Sequence, residues 1–312
     1  MRFTRCAVAA GFVIALSGCS LKKLAVDKVG DALASGGQTY ESDDDVELVG
    51  DALPFSLKLI ESLLAESPDH RGMLNAACKG FTSYGYAYVQ NGDKALADPD
   101  LAAEDAIRTR ARRLYLRALG YGMHGLDVAY PGLSGNLTTD PKGATARVRK
   151  EDVPALYWTA ASLGLAISVS KSDASMIARV PEVEAMLARA IELDATWGEG
   201  SLQEFEITLS AAKPGGGSPA SLDASYARAL ELSGGTRASL FITYAEARAV
   251  PVQDVALFRE LIARALAIDP DAHKAIRLQN LVSQRRAAWL ESHIADFFLT
   301  VDAGDAGRGD AP

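Results

Sequence analysis

Few residues in this sequence have the types and spacing that catalysis needs. Gly120, Gly122 and Gly125 match the G-x-G-x-x-G pattern of dinucleotide sites, but they follow an arginine-rich helical stretch instead of a strand. We therefore interpret them as a helix end with left-handed glycines. The four histidines have no histidine partner three or four residues away, which argues against a zinc site. Cys78 lies in an Ala/Gly-rich helical context that is typical of a buried, unreactive thiol. The sequence predicts a protein that is not an enzyme and needs no cofactor.

The composition favours a folded chain and excludes several kinds of partner. The 312 residues are 48% hydrophobic, which is enough for a substantial core. A net charge of −8 argues against general nucleic-acid binding. Three cysteines cannot build a disulfide framework.

The first residues resemble the signal peptide of a bacterial lipoprotein. Arg2 and Arg5 precede an apolar run that is too short for a permanent membrane span, and the run ends in LSGC, a lipobox-like motif. We predict cleavage after residue 18 and acylation of Cys19, which would anchor the protein to a membrane. Losing the two arginines takes the net charge from −8 to −10. Ser20 in place of Asp favours the outer membrane, on its periplasmic side. The alternative is an ordinary secretory signal that contains a chance cysteine.

The mature chain divides into three predicted segments. Residues 19–45 form the lipidated N-terminus and a tether that contains a weak amphipathic helix. Residues 46–300 form a helical domain, and residues 301–312, rich in Gly, Asp and Ala, form a disordered tail.

The apolar pattern between tether and tail is helical and predicts an all-α fold. Apolar residues recur at three and four positions in the helical domain, and strand-like alternation is scarce. Ala190, Ala229 and Ala265 occupy matching positions in three similar helical sequence segments, 39 and 36 residues apart. This spacing is near the tetratricopeptide (TPR) period of about 34 residues. We predict a TPR-like array of helical hairpins, an α-solenoid, with irregular insertions near residues 125–150 and 165–180.

Two clusters of side chains allow more than one interpretation. Five arginines between Arg108 and Arg117 lie off the apolar stripe of one helix, which favours a solvated, salt-bridged face over a docking patch for an acidic partner. Tyr84, Tyr86 and Tyr88 alternate in a way that is unusual for a helix. They either pack in the core or line a central cavity.

Several stretches resemble the T component of tripartite ATP-independent periplasmic (TRAP) transporters. These stretches are SDDDVELVGDALPFSLKLIESLLAESP at 42–68, DVPALYWTAA at 152–161 and segments between 244 and 287 that begin with YAEARAV. The resemblance implies a periplasmic lipoprotein with TPR-like helices, a pore-like cavity in each protomer and trimerisation. It also implies binding to the solute-binding P component and no enzymatic activity. After Trp197-Gly-Glu-Gly200, the residues Ser201–Glu204 depart from the family pattern.

The predicted function is to bind a solute-binding protein and to hold or pass a small apolar or amphipathic ligand. The alternative is a TPR lipoprotein scaffold for cell-envelope assembly. We expect Asp152 to cap a helix with Pro154 in its first turn. Tyr157 and Trp158 in this helix either line the cavity or pack in the core. Arg277 and Asn280 share a helix face and either dock a partner or join the last two helices. The candidate binding or docking residues are Tyr157, Trp158, Trp197, Arg277, Asn280 and Arg286.

Overall fold

The computed structural model describes residues 22–213 and 217–299. Every helix or strand assignment within these ranges is helical, which confirms the predicted all-α class. The predicted signal peptide, Cys19 and the predicted tail 301–312 lie outside the described residues.

The described helices follow one another with short connections. In chain order they are α1 (22–35), α2 (Gly37–Glu41), α3 (Val46–Glu66), α4 (Arg71–Tyr84), α5 (Asp93–Leu96), α6 (Leu101–Ala129), α7 (Leu133–Leu137), α8 (Pro141–Thr145), α9 (Val153–Ser168), α10 (Ala174–Ile177), α11 (Val180–Asp194), α12 (Ser201–Ala211), α13 (Pro219–Ser233), α14 (Ala238–Tyr244), α15 (Val255–Leu266) and α16 (Arg277–Ser292). Two π-helical segments, Gly85–Gln90 and Ala245–Ala249, continue α4 and α14 without a break. Short 3-10 turns are Lys150–Asp152, Pro270–Ile276 and Ile294–Asp296.

Aspartates start several helices. The Asp45 carboxylate accepts a hydrogen bond from the Leu48 amide at 2.9 Å, and Asp100 and Asp254 do the same for α6 and α15. Such caps satisfy amides that have no partner within the helix. Asp152 is different. Pro154 lies in the first turn of α9 as expected, but the Asp152 side chain caps nothing and instead accepts from Tyr130.

Sequence neighbours pack on one another and build the core in order. α3 packs on α4, α4 on α6, α6 on α9, α9 on α11, and the contacts continue through α12 to α16. Ala190, Ala229 and Ala265 are completely buried, as small residues at tight helix crossings should be. A Cβ at Gly200 would lie 2.7 Å from the carbonyl oxygen of Ala229, so α12 begins directly against the backbone of α13.

The glycine motif lies inside a helix, which contradicts our interpretation of a helix end. Gly120, Gly122 and Gly125 are all within α6, and none has a positive φ. A Cβ at Gly122 would overlap Thr159 Oγ1 and lie 2.9 Å from Cys78 Sγ. The motif therefore permits a close crossing of α6 with α4 and α9.

The arginine cluster on α6 forms ion pairs, which confirms the predicted salt-bridged face. Arg108 pairs with Glu104 and Asp105, and Arg117 pairs with Glu61. Arg112 donates to Ser170 at 2.9 Å and to Asp173 at 3.1 Å, so the cluster also fastens α6 to the end of α9.

Within the segment predicted as a tether, residues 22–41 are helical and pack on the body of the protein. Val26 and Leu33 contact the core beneath α1, and Gly30 faces Met73 so closely that a Cβ would lie 2.7 Å from its sulfur. A Lys22–Glu66 ion pair at 2.7 Å and an Asp31–His70 contact at 3.2 Å hold the two ends of the helix.

The first and last elements of the chain also meet, so the array closes on itself. We call this junction the seam. It contains the ion pairs Arg277–Asp44 at 2.9 Å, Arg285–Glu47 at 3.8 Å, Arg285–Asp93 at 3.6 Å and His293–Asp98 at 3.0 Å. The described helices thus form a closed series of packed neighbours, in which α16 returns to α2 and α3.

Candidate functional site

The two π-helical segments each contribute one side chain to the candidate site. The first begins at Gly85, where a Cβ would lie 2.8 Å from the Tyr115 ring, so only glycine allows the close approach. The second begins at Ala245. A π turn inserts an extra residue and rotates the side chains after it, and such turns are frequent at functional sites. Tyr86 and Glu246 are the residues that follow the two start points.

Tyr86 combines solvent exposure with strong desolvation. Its surface is 44% exposed, yet burial by the surrounding protein raises the pKa of its phenol to about 12. The charges of Glu246 and Glu204 contribute to this rise in pKa, and the charge of Arg286 opposes it. The charged groups that act on the pKa of Tyr86 come from α12, from the second π-helical segment and from α16.

The charged groups around Tyr86 are paired with one another. Arg286 Nη2 lies 3.0 Å from Glu246 Oε1, and Arg237 Nε lies 3.3 Å from Glu204 Oε2. Thr243 Oγ1 donates a further hydrogen bond to Glu204 at 3.3 Å. Because each guanidinium has a carboxylate beside it, the interior offers polar groups without a large net charge.

An aromatic wall adjoins these ion pairs. Tyr157 is its centre, with ring centroids 5.1 Å from Trp158, 4.8 Å from Trp197 and 6.1 Å from Phe205. Arg237 Nη1 donates to the Gly198 carbonyl at 3.5 Å, beside Trp197, so the wall adjoins the Arg237–Glu204 pair. Burial raises the pKa of Tyr157 to about 12, and Tyr157 also acts on the pKa of Tyr86. We call this group of side chains the interior recess; its members are Tyr86, Tyr157, Trp197, Phe205, Glu204, Arg237, Glu246 and Arg286.

An unusual turn positions Trp197 and Glu204. Gly198, Glu199 and Gly200 have φ values of +67°, +51° and +93°, and the left-handed conformation is costly for a residue with a Cβ such as Glu199. The turn ends at Ser201, where α12 begins, and Glu204 lies in the first turn of that helix. The stretch that departs from the family pattern thus supplies a charged residue of the recess.

The six sequence-predicted candidates fall into two groups. Tyr157, Trp158 and Trp197 are in contact, and Arg286 joins them through the electrostatic environment of Tyr86. Trp158 lies on the side of Tyr157 toward α4, with the Lys79 ammonium 5.7 Å from its ring.

Arg277 and Asn280 make contacts between elements of the protein itself. The Asn280 amide is 1% exposed; its oxygen accepts from the Ala238 amide at 3.0 Å, and its nitrogen donates to the Thr236 carbonyl at 2.9 Å. Arg277 pairs with Asp44 and Asp271. These contacts link α16 to the start of α14, to Asp44 and to the 3-10 turn at 270–276, instead of joining the last two helices to each other.

Sequence reasoning missed several recess residues, which are Phe205, Glu204, Arg237 and Glu246. Tyr86 was recognisable only as one of three alternating tyrosines. The structure places Tyr86 at the recess, whereas Tyr84 and Tyr88 stack on each other with centroids 5.6 Å apart. Residues two apart lie on opposite faces of a helix and residues four apart lie on the same face, and hydrophobic periodicity does not reveal where a π turn falls.

The groups able to do chemistry are engaged elsewhere in the described structure. Cys78 is 1% exposed, and burial raises the pKa of its thiol to about 12, as expected for an inert thiol. Among residues 22–213 and 217–299, no group of three His, Cys, Asp or Glu residues could hold a metal ion. His70 caps α4 by accepting from the Met73 amide at 3.1 Å.

These features define an all-helical protein with a group of aromatic side chains beside buried or partly buried ion pairs. The family described as TRAP transporter T-component matches residues 42–298, and the chain belongs to this family. An uncharacterized protein of Treponema pallidum (strain Nichols) is 30% identical over 314 aligned residues, which cover 94% of this chain and 97% of the relative.

Membership makes the protein an accessory component of a TRAP transport system, associated with other components of that system at the periplasmic side of a membrane. Within the described residues, no helix has the length and hydrophobicity needed to span a bilayer.

Proposed function

We propose that the protein is a non-enzymatic, lipid-anchored subunit that binds the solute-binding P component and holds or passes a small apolar or amphipathic ligand in the interior recess. The observation that carries this proposal is the aromatic wall around Tyr157, which meets the Arg237–Glu204 pair where Arg237 donates to the Gly198 carbonyl at 3.5 Å, beside Trp197.

The recess lining supports an amphipathic ligand. Aromatic side chains such as Tyr157, Trp197 and Phe205 provide large apolar contact surfaces of fixed shape. The Arg286–Glu246 pair offers a donor and an acceptor for a polar head group. Ligand sites in proteins commonly combine an apolar lining with a few polar groups in this way.

The remaining architecture of the proposal follows the sequence predictions. Acylation at Cys19 would anchor the chain, with the outer membrane favoured by Ser20. The described helices would form a TPR-like solenoid within residues 46–300, an arrangement supported by the buried Ala190, Ala229 and Ala265. Trimerisation is proposed from family membership alone.

Ligand binding can be tested with the anionic amphiphile 1-anilinonaphthalene-8-sulfonate as a fluorescent probe. The assay uses the mature chain with Cys19→Ala, so that the probe cannot bind to the protein's own acyl groups. We expect Tyr157→Ala and Phe205→Ala each to weaken probe binding about tenfold, because each removes a buried aromatic contact. Phe55→Ala is the matched control, since Phe55 is 73% exposed on α3. Equal effects of all three variants would reject the recess as the site.

Partner binding needs a separate measurement. Calorimetry should detect micromolar or tighter binding to the solute-binding protein encoded beside this chain. If Arg286 docks the partner, Arg286→Ala weakens binding at unchanged melting temperature. The described contacts of Asn280 predict the opposite for Asn280→Ala, a lower melting temperature with normal affinity. If the wild-type chain binds no such protein, the envelope-assembly scaffold replaces the transport proposal.

A further inference from the structure

The N-terminal helix fixes which end of the protein is next to the predicted acylation site. α1 runs antiparallel to α3 and parallel to α4. Three polar contacts hold it in this register: Lys22–Glu66 at 2.7 Å, Asp27–Ser67 at 2.6 Å and Asp31–His70 at 3.2 Å. The start of α1 therefore lies beside the turn between α3 and α4.

Few residues separate this helix from Cys19, the predicted acylation site. Ser20 and Leu21 are the residues between Cys19 and Lys22. Three extended residue steps span at most about 11 Å. If Cys19 is acylated, the start of α1 must lie within that distance of the acyl-bearing residue, and the surface around it must face the membrane.

The long insertion after α6 lies at this same end. α6 runs antiparallel to α4, so its last turns return to the α3–α4 turn, where His124 lies 2.9 Å from Asp69. Arg71, at the start of α4, pairs with Asp152 at the start of α9. The Tyr130 hydroxyl connects Asp152 to Arg149. It donates to Asp152 at 2.6 Å and accepts from the Arg149 amide at 3.0 Å. We call this surface the anchored end, formed by the start of α1, the turn 67–70 and the segment 131–150.

The anchored end carries positive charge on an acidic protein. Residues 141–150 contain two lysines and two arginines and no Asp or Glu, although the full chain has a net charge of −8. Lys142 and Arg147 are exposed, and within the described structure no carboxylate lies at ion-pair distance from either. Arg147 donates only to the carbonyl of Pro131, at 3.2 Å. Two exposed cations are thus free to meet an anionic surface.

We propose that the anchored end lies on the bilayer, with Lys142 and Arg147 against anionic lipid headgroups. This inference depends on the proposed acylation of Cys19. A short anchor with a basic patch fixes the orientation of the protein, since the two contacts together define a face. The opposite end, with the C-terminus of α9 and the start of α6, then points away from the membrane.

Orientation can be measured on the full acylated protein reconstituted in vesicles. A fluorophore is attached at Thr138→Cys in the anchored end or at Ser172→Cys beyond the C-terminus of α9; both positions are exposed. The 16 residues of α9 separate the two ends by about 24 Å. Native Cys78 is buried, so it does not compete for the label. We expect headgroup-quencher lipids to quench the label at 138 and to spare the label at 172.

The role of charge is tested with two matched double variants. Lys142→Gln with Arg147→Gln removes the cations of the anchored end. Lys94→Gln with Lys171→Gln removes two exposed lysines near the opposite end. Vesicles of phosphatidylcholine alone are compared with vesicles that also contain phosphatidylglycerol. On the anionic vesicles, we expect the first variant to lower the ratio of docked to undocked protein about 30-fold and the second to leave it unchanged.

Each outcome decides between separate claims. Equal quenching at both labels, or stronger quenching at 172, overturns the orientation. If docking does not depend on phosphatidylglycerol and is unchanged by the Lys142/Arg147 substitutions, the headgroup contact is wrong. Wild-type protein that carries no palmitate and does not bind vesicles overturns the acylation of Cys19 itself, which is a failure of the proposed function.

Discussion

Gly122 and Gly120 offer a matched test of how the helices cross. They lie on the same helix, but a Cβ at Gly122 would overlap Thr159 Oγ1, whereas a Cβ at Gly120 meets nothing within 4 Å. Thr159 is fully buried and donates to the Ala155 carbonyl at 2.6 Å, so it cannot easily move away. The two Gly→Ala substitutions should therefore have different effects on the free energy of unfolding.

The magnitudes follow from two terms. Ala gains about 1 kcal/mol over Gly in a helix, and both variants share this gain. Overpacking a close crossing costs about 1–3 kcal/mol, and only Gly122→Ala incurs it. Gly120→Ala should stabilise the protein, and the difference between the variants should be about 1–3 kcal/mol. For a domain of this size, that corresponds to about 2–12 °C in melting temperature.

Thermal unfolding of the Cys19→Ala mature chain, followed by circular dichroism, measures the difference. Thr159→Ala supplies a second check, because it removes the overlapping oxygen. Gly122→Ala should then cost less in the Thr159→Ala background than in the wild type. If Gly120→Ala and Gly122→Ala have the same melting temperature, the close crossing of α6 and α9 is wrong.

Three further predictions concern the anchor, the acid stability and the wall of the recess. Cys19→Ala should abolish palmitate labelling, and undiminished labelling would remove the basis for membrane anchoring. Burial opposes ionisation of Glu61, but hydrogen bonds from Lys58, Tyr121 and Arg117 outweigh burial and lower its pKa below 4.5. The stabilising effect of the Glu61 carboxylate is present above its unfolded-state pKa and is lost as pH falls through its folded-state pKa. Glu61→Gln should therefore destabilise the protein at pH 7 and have little effect on its stability near pH 2. Equal destabilisation at the two pH values would contradict this. Trp158 is partly buried, and Trp158→Ala should cost about 3 kcal/mol by urea denaturation; unchanged stability with lost probe binding would instead assign its ring to the ligand site.

The sequence predicted the helical class because its signals are local. The apolar period of α3 places Val46, Val49, Leu57 and Ile60 on the buried face, and Asp45 provides a cap within three residues. The repeated small residue at Ala190, Ala229 and Ala265 was also recognisable, since close packing demands a small side chain at each position.

The recess was only partly predictable, for two physical reasons. Glu204 and Glu246 lie near Tyr86 although they are more than 100 residues away in sequence, and a single sequence does not show which distant elements meet. In addition, hydrophobic periodicity does not reveal the π turn in which Tyr86 lies. The interpretation of the glycine motif in α6 was wrong for a different reason. Glycines that end a helix and glycines that let another helix approach can have the same spacing.

The seam between the first and last elements has a consequence for the order of folding. Most helices contact sequence neighbours, and such local contacts form early because little loop entropy is lost. The seam pairs, such as Arg277–Asp44, join residues more than 190 positions apart and remain partly exposed to salt and water. We expect the seam to close last during folding and to open first in native-state hydrogen exchange, faster as ionic strength rises. Transient opening there would give solvent and solutes a sideways route into the recess without unfolding the helices that line it.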